Sequence, residues 1–148
     1  MKFMSDGTCG DVVKWLRILG LDTTAKFHNP APLVLKEAIS EDRVLLTRSA
    51  TIKELGRERV ILLPEKTMES LHKLKEAGFL QGATPFTRCL VCNTPLKDIA
   101  REEIRDRVPP YIYQTHTEFK ICPDCDRIFW SGTHVENMLR CLKNANII

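Results

Sequence analysis

The sequence of 148 residues has no apolar run of 18 or more residues, which excludes a helix able to cross a bilayer. Its first residues, Met1-Lys2-Phe3-Met4-Ser5-Asp6, lack the apolar core of a secretory leader, so a cytoplasmic location is expected. No charge of one sign dominates. Lysine and arginine number 22 against 19 acidic residues, a net charge of +3, so a nucleic-acid surface would have to be a local patch. Cysteine is scarce in residues 1–85, where Cys9 stands alone, while the other five of the six cysteines follow Phe86. Such a distribution does not suit a disulfide-stapled body. In a reducing compartment, thiols stay available to metal.

What is present begins with those cysteines. Cys89-Leu-Val-Cys92 and Cys122-Pro-Asp-Cys125 are two C-x2-C hooks separated by 29 residues. Each is followed by turn residues, Asn93-Thr94-Pro95 and Asp126-Arg127. Hooks of this kind bring four thiolates onto one tetrahedral Zn2+. The alternatives are two disulfides or four packed thiols, but a C-x2-C loop is too short to bridge without strain, and packing cysteines need no paired turns. Four protein ligands leave no open coordination position, so such a zinc is structural. Residues 86–148 carry 9 basic and 8 acidic side chains, and four thiolates with zinc bring this part to about −1. They are expected to form a metal-stapled module with a C-terminal helix, following a body over residues 1–82.

Along that body, short apolar runs alternate with helical periodicity. Lys2-Phe3-Met4 reads as a strand ending at Ser5-Asp6-Gly7. Val12, Trp15, Leu16 and Leu19 recur at helical spacing, and Gly20 stops the helix. On its opposite, solvated face, Lys14 and Arg17 either keep the helix soluble or reach a phosphate. A weaker strand follows Asp22, a second acid near a strand start or simply a turn aspartate. Pro32 is suited to the first turn of a helix through Leu33, Leu35, Ala38 and Ile39. Val44-Leu45-Leu46-Thr47 is a continuous apolar strand, and a short helix runs from it to Gly56. Val60-Ile61-Leu62-Leu63 is another strand, and Thr67 and Ser70 are expected to cap a helix through Leu71 and Leu74. The pattern implies an α/β sandwich with a mainly parallel sheet, in which ligands bind beyond the carboxyl ends of the strands. Asp6 and the Thr47-Arg48-Ser49 turn lie there.

The later segment is expected to hold a short helix in Asp98–Asp106, a strand following Val108-Pro109-Pro110, and strands at Glu118–Ile121 and Arg127–Trp130. Arg101, Arg105 and Arg107 alternate there with acids as a solvated, ion-paired face. Tyr111, Tyr113, Phe119, Phe129 and Trp130 fit a small core better than a base-stacking surface. Thr133-x-x-Glu136 has the form of a capping box opening the last helix. Neither His116 nor His134 sits in a C-x-x-H hook, so both are surface or hydrogen-bonding groups, able with Arg88 and Arg140 to line an RNA-facing rim.

These residues resemble a known family. Lys2-Phe3 through Asp6-Gly7, Val13-Lys14-Trp15-Leu16-Arg17-Ile18-Leu19-Gly20 with Asp22-Thr23, and Val44-Leu45-Leu46-Thr47-Arg48 look like the Mut-seven C-terminal RNase domain. Its fold is a small PIN-like three-layer sandwich. The zinc ribbon of that family is similar to Phe86-x-Arg88-Cys89-x-x-Cys92-Asn93-x-Pro95-Leu96, Arg107-Val108-Pro109-Pro110-Tyr111, Thr115-His116-x-Glu118-Phe119, Cys122-Pro123-x-Cys125 and Trp130-x-Gly132-x-His134. The resemblance implies a metal-dependent ribonuclease: an acid cluster, here Asp6 and Asp22, holding Mg2+ or Mn2+ to activate water against an RNA phosphodiester. It also implies RNA contacts from Lys14, Arg17, Arg48, Arg88, His116 and His134, and a zinc centre at Cys89, Cys92, Cys122 and Cys125. The chain departs from the family pattern where its Thr-Arg-Asp reads Thr47-Arg48-Ser49, and where an acidic stretch reads His28-Asn29-Pro30-Ala31-Pro32. Serine and asparagine supply oxygens without charge, so cation affinity falls. Glu37, Asp42 or Glu54 would have to compensate. The alternative is a degenerate module that binds RNA or a protein partner and is held together by structural zinc.

Overall fold

The computed structural model describes residues 1–27 and 30–148. His28 and Asn29, which occupy part of the expected acidic stretch, lie outside the described residues. The body carries β1 (Lys2–Asp6), α1 (Gly10–Ile18), β2 (Asp22–Lys26), α2 (Ala31–Ser40), β3 (Val44–Thr47), α3 (Ala50–Gly56), β4 (Val60–Leu62) and α4 (Thr67–Glu76). The four strands form a parallel sheet in the order β2-β1-β3-β4. The chain therefore reverses its direction of travel across the sheet between β1 and β3, and the C-terminal ends of those strands flank the switch point.

Alternation along the strands sorts the core into two layers. Phe3, Leu46 and Leu63 face a cluster with Val12, Leu16, Leu71 and Leu74, whereas Met4, Leu45 and Val60 face Val34, Leu35, Ala38 and Ile52. Helices α1 and α4 thus cover one face and α2 and α3 the other. Pro32 lies in the first turn of α2, where its missing N–H costs nothing. Gly20 leaves α1 at φ +81°, and a Cβ there would lie 2.2 Å from the Thr84 carbonyl oxygen, so only glycine lets the 84–87 segment close over this corner.

The remaining elements are β5 (Lys97–Ile99), α5 (Pro110–Thr115), β6 (Phe119–Ile121), β7 (Ile128–Phe129) and α6 (Thr133–Asn144). The three strands make an antiparallel sheet in the order β5-β6-β7, packed on a small cluster of Ile104, Val108, Ile112 and Phe119. Several local expectations are corrected here. The segment after Pro109-Pro110 is helix, because Pro110 occupies a first-turn position and Ile112 N–H bonds the Pro109 carbonyl at 3.0 Å. The charged segment after Lys97 is a strand paired to β6, then a 3-10 turn Arg101–Ile104 anchored by fully buried Ile104. Thr133 does not close a capping box: Gly132 is the N-cap of α6 without a side-chain bond. Nor do Thr67 and Ser70 cap α4. Thr67 donates to Asp11, and the Ser70 hydroxyl bonds the carbonyls of Pro64 and Lys66.

One further difference concerns α6. Its apolar stripe of Val135, Met138 and Leu142, with Ile147 beyond it, joins the same cluster as Phe3, Leu16 and Leu74. The C-terminal helix expected in the 86–148 module thus packs its apolar stripe on the body. Leu142 is fully buried. Leu142→Ala is therefore expected to lower the stability of the body by about 2–5 kcal/mol, measured by chemical denaturation followed at Trp15.

Candidate metal centre and sheet-edge site

The four cysteines come from two loops, one before β5 and one between β6 and β7. Their Sγ atoms all lie within 4.8 Å of one another, and Cys89 and Cys125 are 3.7 Å apart. A tetrahedral zinc with bonds of about 2.3 Å requires sulfur–sulfur separations of about 3.8 Å. Both knuckles close in the same way. Asn93 (φ 69°) and Asp126 (φ 62°), each one residue past the second cysteine, adopt left-handed backbone and return their N–H to Cys89 and Cys122 carbonyls at 2.9 Å. Cys92 N–H also points at Cys89 Sγ, 3.3 Å away. Burial pushes the Cys89 thiol up, and the hydrogen bond with Cys125 leads the causes that hold Cys92 up to about 12. The soft donor set fits zinc, on which four protein ligands would leave no open position.

At the C-terminal edge of the parallel sheet, Asp6 ends β1 and is buried. Its Oδ1 accepts the Thr8 backbone N–H at 2.8 Å and the Thr8 hydroxyl, and its Oδ2 accepts the Thr47 hydroxyl. Ser49, standing where an acid was expected, is the N-cap of α3: its hydroxyl accepts Ile52 N–H at 3.4 Å. Asp22 is not a neighbour of Asp6. The strands pair Lys2 with Asp22 and Asp6 with Lys26, so the two acids lie at opposite ends of neighbouring strands. Four residues of strand separate them by about 13 Å, too far to share one cation. Among the described residues, the four cysteines are the group of three or more ligating side chains close enough to hold a metal. As arranged, Asp6 with its neutral hydroxyl donors does not fit a hard divalent cation.

Asp22 has other partners. It accepts Arg43 Nη1 at 2.6 Å and Asn93 Nδ2 at 2.7 Å, while Asn93 Oδ1 accepts Thr23 N–H at 2.9 Å. Sequence reasoning missed this arrangement, although an asparagine directly after a C-x2-C hook signals the left-handed turn that carries it. It missed Asp11 as well, the partner of Arg48.

The basic residues expected to touch RNA divide. Arg48 uses all five of its N–H donors internally, on Pro64, Thr8, Ser70 and both oxygens of Asp11. The Arg48 hydrogen bond holds the Asp11 carboxyl below its ordinary value. Arg17 is not on a solvated face: it donates to Thr23, Leu90 and Val91 carbonyls. Arg88 donates to Gly20 and Asn93 carbonyls. Lys14 is exposed, its ammonium 5.7 Å from the Trp15 ring centroid. His116 and His134 come together with Tyr111, Phe129, Trp130 and Glu136 in a groove of about 530 Å³ between α5, β7 and the start of α6. Tyr113, Phe119 and Trp130 pack with the ribbon's apolar cluster, whereas Tyr111 is 66 % exposed. Arg140 lies outside that groove and bonds Asn137 on its own helix.

The Mut7-C RNAse domain family model matches residues 1–142. The chain belongs to that family. No curated protein and no solved structure matches it. Membership of the Mut7-C family suggests a ribonuclease-like function and interaction with RNA. The fold and the cysteine cluster agree with the resemblance in the sequence. In this Mut7-C domain, the acid at the start of β2 belongs to the contact between body and ribbon.

Burial raises the Asp22 carboxyl, but hydrogen bonds from Arg43 and Asn93 outweigh it and hold the group below its ordinary value. A carboxylate lowered by folding stabilises the native state above its unfolded pKa of about 3.9, and that contribution disappears as pH falls through the lower folded value. Acid titration of stability is therefore expected to be shallower below about pH 4 in Asp22→Asn than in the natural protein.

Proposed function

We propose that the protein acts on RNA as a binding member of the Mut7-C family, with a sheet-edge acid site no longer equipped for metal-dependent cleavage. The observation that carries this reading is Asp6. A hydrolytic cation site needs several carboxylates free to face the ion, and one carboxylate already accepting two hydroxyls and a backbone N–H supplies a single charge. Serine at position 49 adds a neutral cap, and Asp22 is committed elsewhere. RNA as the ligand is supported by the family.

The surface assigned to RNA is the ribbon groove. Tyr111 offers an exposed ring on which an unpaired base can stack, and His134 lines the same concavity, whereas the His116 ring nitrogens are taken by the Thr115 hydroxyl and the Ser131 carbonyl. With Arg17, Arg48 and Arg88 engaged within the protein, phosphate contacts are few, so affinity depends on stacking more than on charge. The competing reading is a metal-dependent ribonuclease working from Asp6, favoured by the position of that acid beside the switch point of the sheet.

Cleavage of single-stranded RNA with added Mn2+ or Mg2+, run beside Asp6→Asn and Ser49→Asp, separates them. Ser49→Asp keeps an acceptor at the N-cap of α3 and should fold. The natural protein is expected to retain RNA without cleaving it, and Tyr111→Ala to weaken retention by about 1–3 kcal/mol, the value of one stacked base. Metal-dependent cleavage that disappears in Asp6→Asn overturns the binding reading in favour of the nuclease.

A further inference from the structure

The two zinc knuckles are held from different sides. The second is braced within the ribbon: Arg107 Nη2 reaches Asp126 Oδ2 at 3.0 Å, and Asp124 accepts the Thr94 hydroxyl. The first is braced by the body. Arg17, on α1, donates to Leu90 O at 2.9 Å and Val91 O at 3.1 Å, the two residues between Cys89 and Cys92. Asn93 sends its side chain into the start of β2, bonding Asp22 Oδ1 and Thr23 N–H. Arg43 completes the socket. It reaches from beside β3 to Asp22 and to the Phe3 carbonyl at 3.2 Å, with its side chain 11 % exposed.

From this arrangement we propose that Arg17, Asp22 and Asn93 are positioning residues of the zinc centre, so that the body's sheet edge and the metal site stabilise one another. The physical reason is orientation. A thiolate pair binds a tetrahedral ion more tightly when its loop is already held in the bound shape, and groups that fix ligands from outside are worth about 10–100-fold in metal affinity. Here Arg17 and Asp22 stand on α1 and β2 of the body, and Asn93 is the ribbon residue that reaches across to them. Binding that orders the Cys89 knuckle therefore also orders Asn93, and through it the Thr23 amide. The coupling is reciprocal by thermodynamic linkage: whatever loosens the edge of β2 weakens the metal, and loss of metal loosens β2.

Asn93→Gly isolates the effect. Glycine accepts the left-handed φ of 69° at least as readily as asparagine, so the knuckle backbone is not strained and only the side-chain socket is lost. Zinc affinity is measured by competition with a chromophoric chelator, and hydrogen exchange of the Thr23 amide is followed with zinc bound and removed. Arg17→Met, which keeps a half-buried chain on α1 but removes its bonds to the Leu90, Val91 and Thr23 carbonyls, serves as a second variant for the zinc affinity. Both variants are expected to bind zinc about 10-fold more weakly. Zinc removal should speed Thr23 exchange in the natural protein and have little effect on it in Asn93→Gly. Affinity within twofold of the natural protein in both variants, or Thr23 exchange indifferent to zinc in the natural protein, overturns the proposal.

Discussion

The contact on which the rest of the arrangement depends is the insertion of Asn93 between Asp22 and Thr23. It is made by a residue whose backbone is fixed by the metal knuckle, and it lands on a carboxylate whose other partner is a nearly buried arginine. Asp22 thus has its charge balanced by Arg43 and its Oδ1 taken by Arg43 and Asn93, at an interface rather than at a reactive edge. An unpaired carboxylate in this half-buried setting would be costly, so the ribbon's position and the acid's presence support one another.

The opposite end of the strands has a different logic. Asp6, Thr8, Thr47 and Ser49 form a chain of short polar groups in which each hydroxyl or carboxylate satisfies a neighbour or a backbone N–H. Arg48 closes over it and binds Asp11 with both ends of its fork. Such a network keeps buried polar atoms paired where parallel strands end, and it accounts for Asp6 without a metal. It also separates what the fold requires from what catalysis would require. Serine and aspartate both serve as N-caps, so position 49 can change the charge of the site while leaving α3 in place.

Much of this was legible in the residues. The β/α alternation, the parallel sheet and the zinc hooks followed from apolar runs between turn signals and from cysteine spacing, signals that depend on local physics. The places where reading failed depend on distant partners. Arg17 looks solvated by helical periodicity alone, and only the return of the Cys89 loop buries it. Asp22 sits where a family acid was expected, but strand register, which no local pattern reveals, puts it at the wrong end of the sheet. The segment after Val108-Pro109-Pro110 read as a strand, yet a proline in the first turn starts a helix as readily as it ends one.

Helix α6 has a consequence for the order in which the molecule is made. Its Val135, Met138 and Leu142, with Ile147, fill the cluster built on Phe3 and Leu16, so the ribbon is threaded between two halves of one core. During synthesis, the sheet and both cysteine loops leave the ribosome before that core has its last apolar stripe. The metal knuckles can therefore close while the body is still open on one side, and a loaded Cys89 loop holding Asn93 against β2 would steady the waiting face until the final helix arrives.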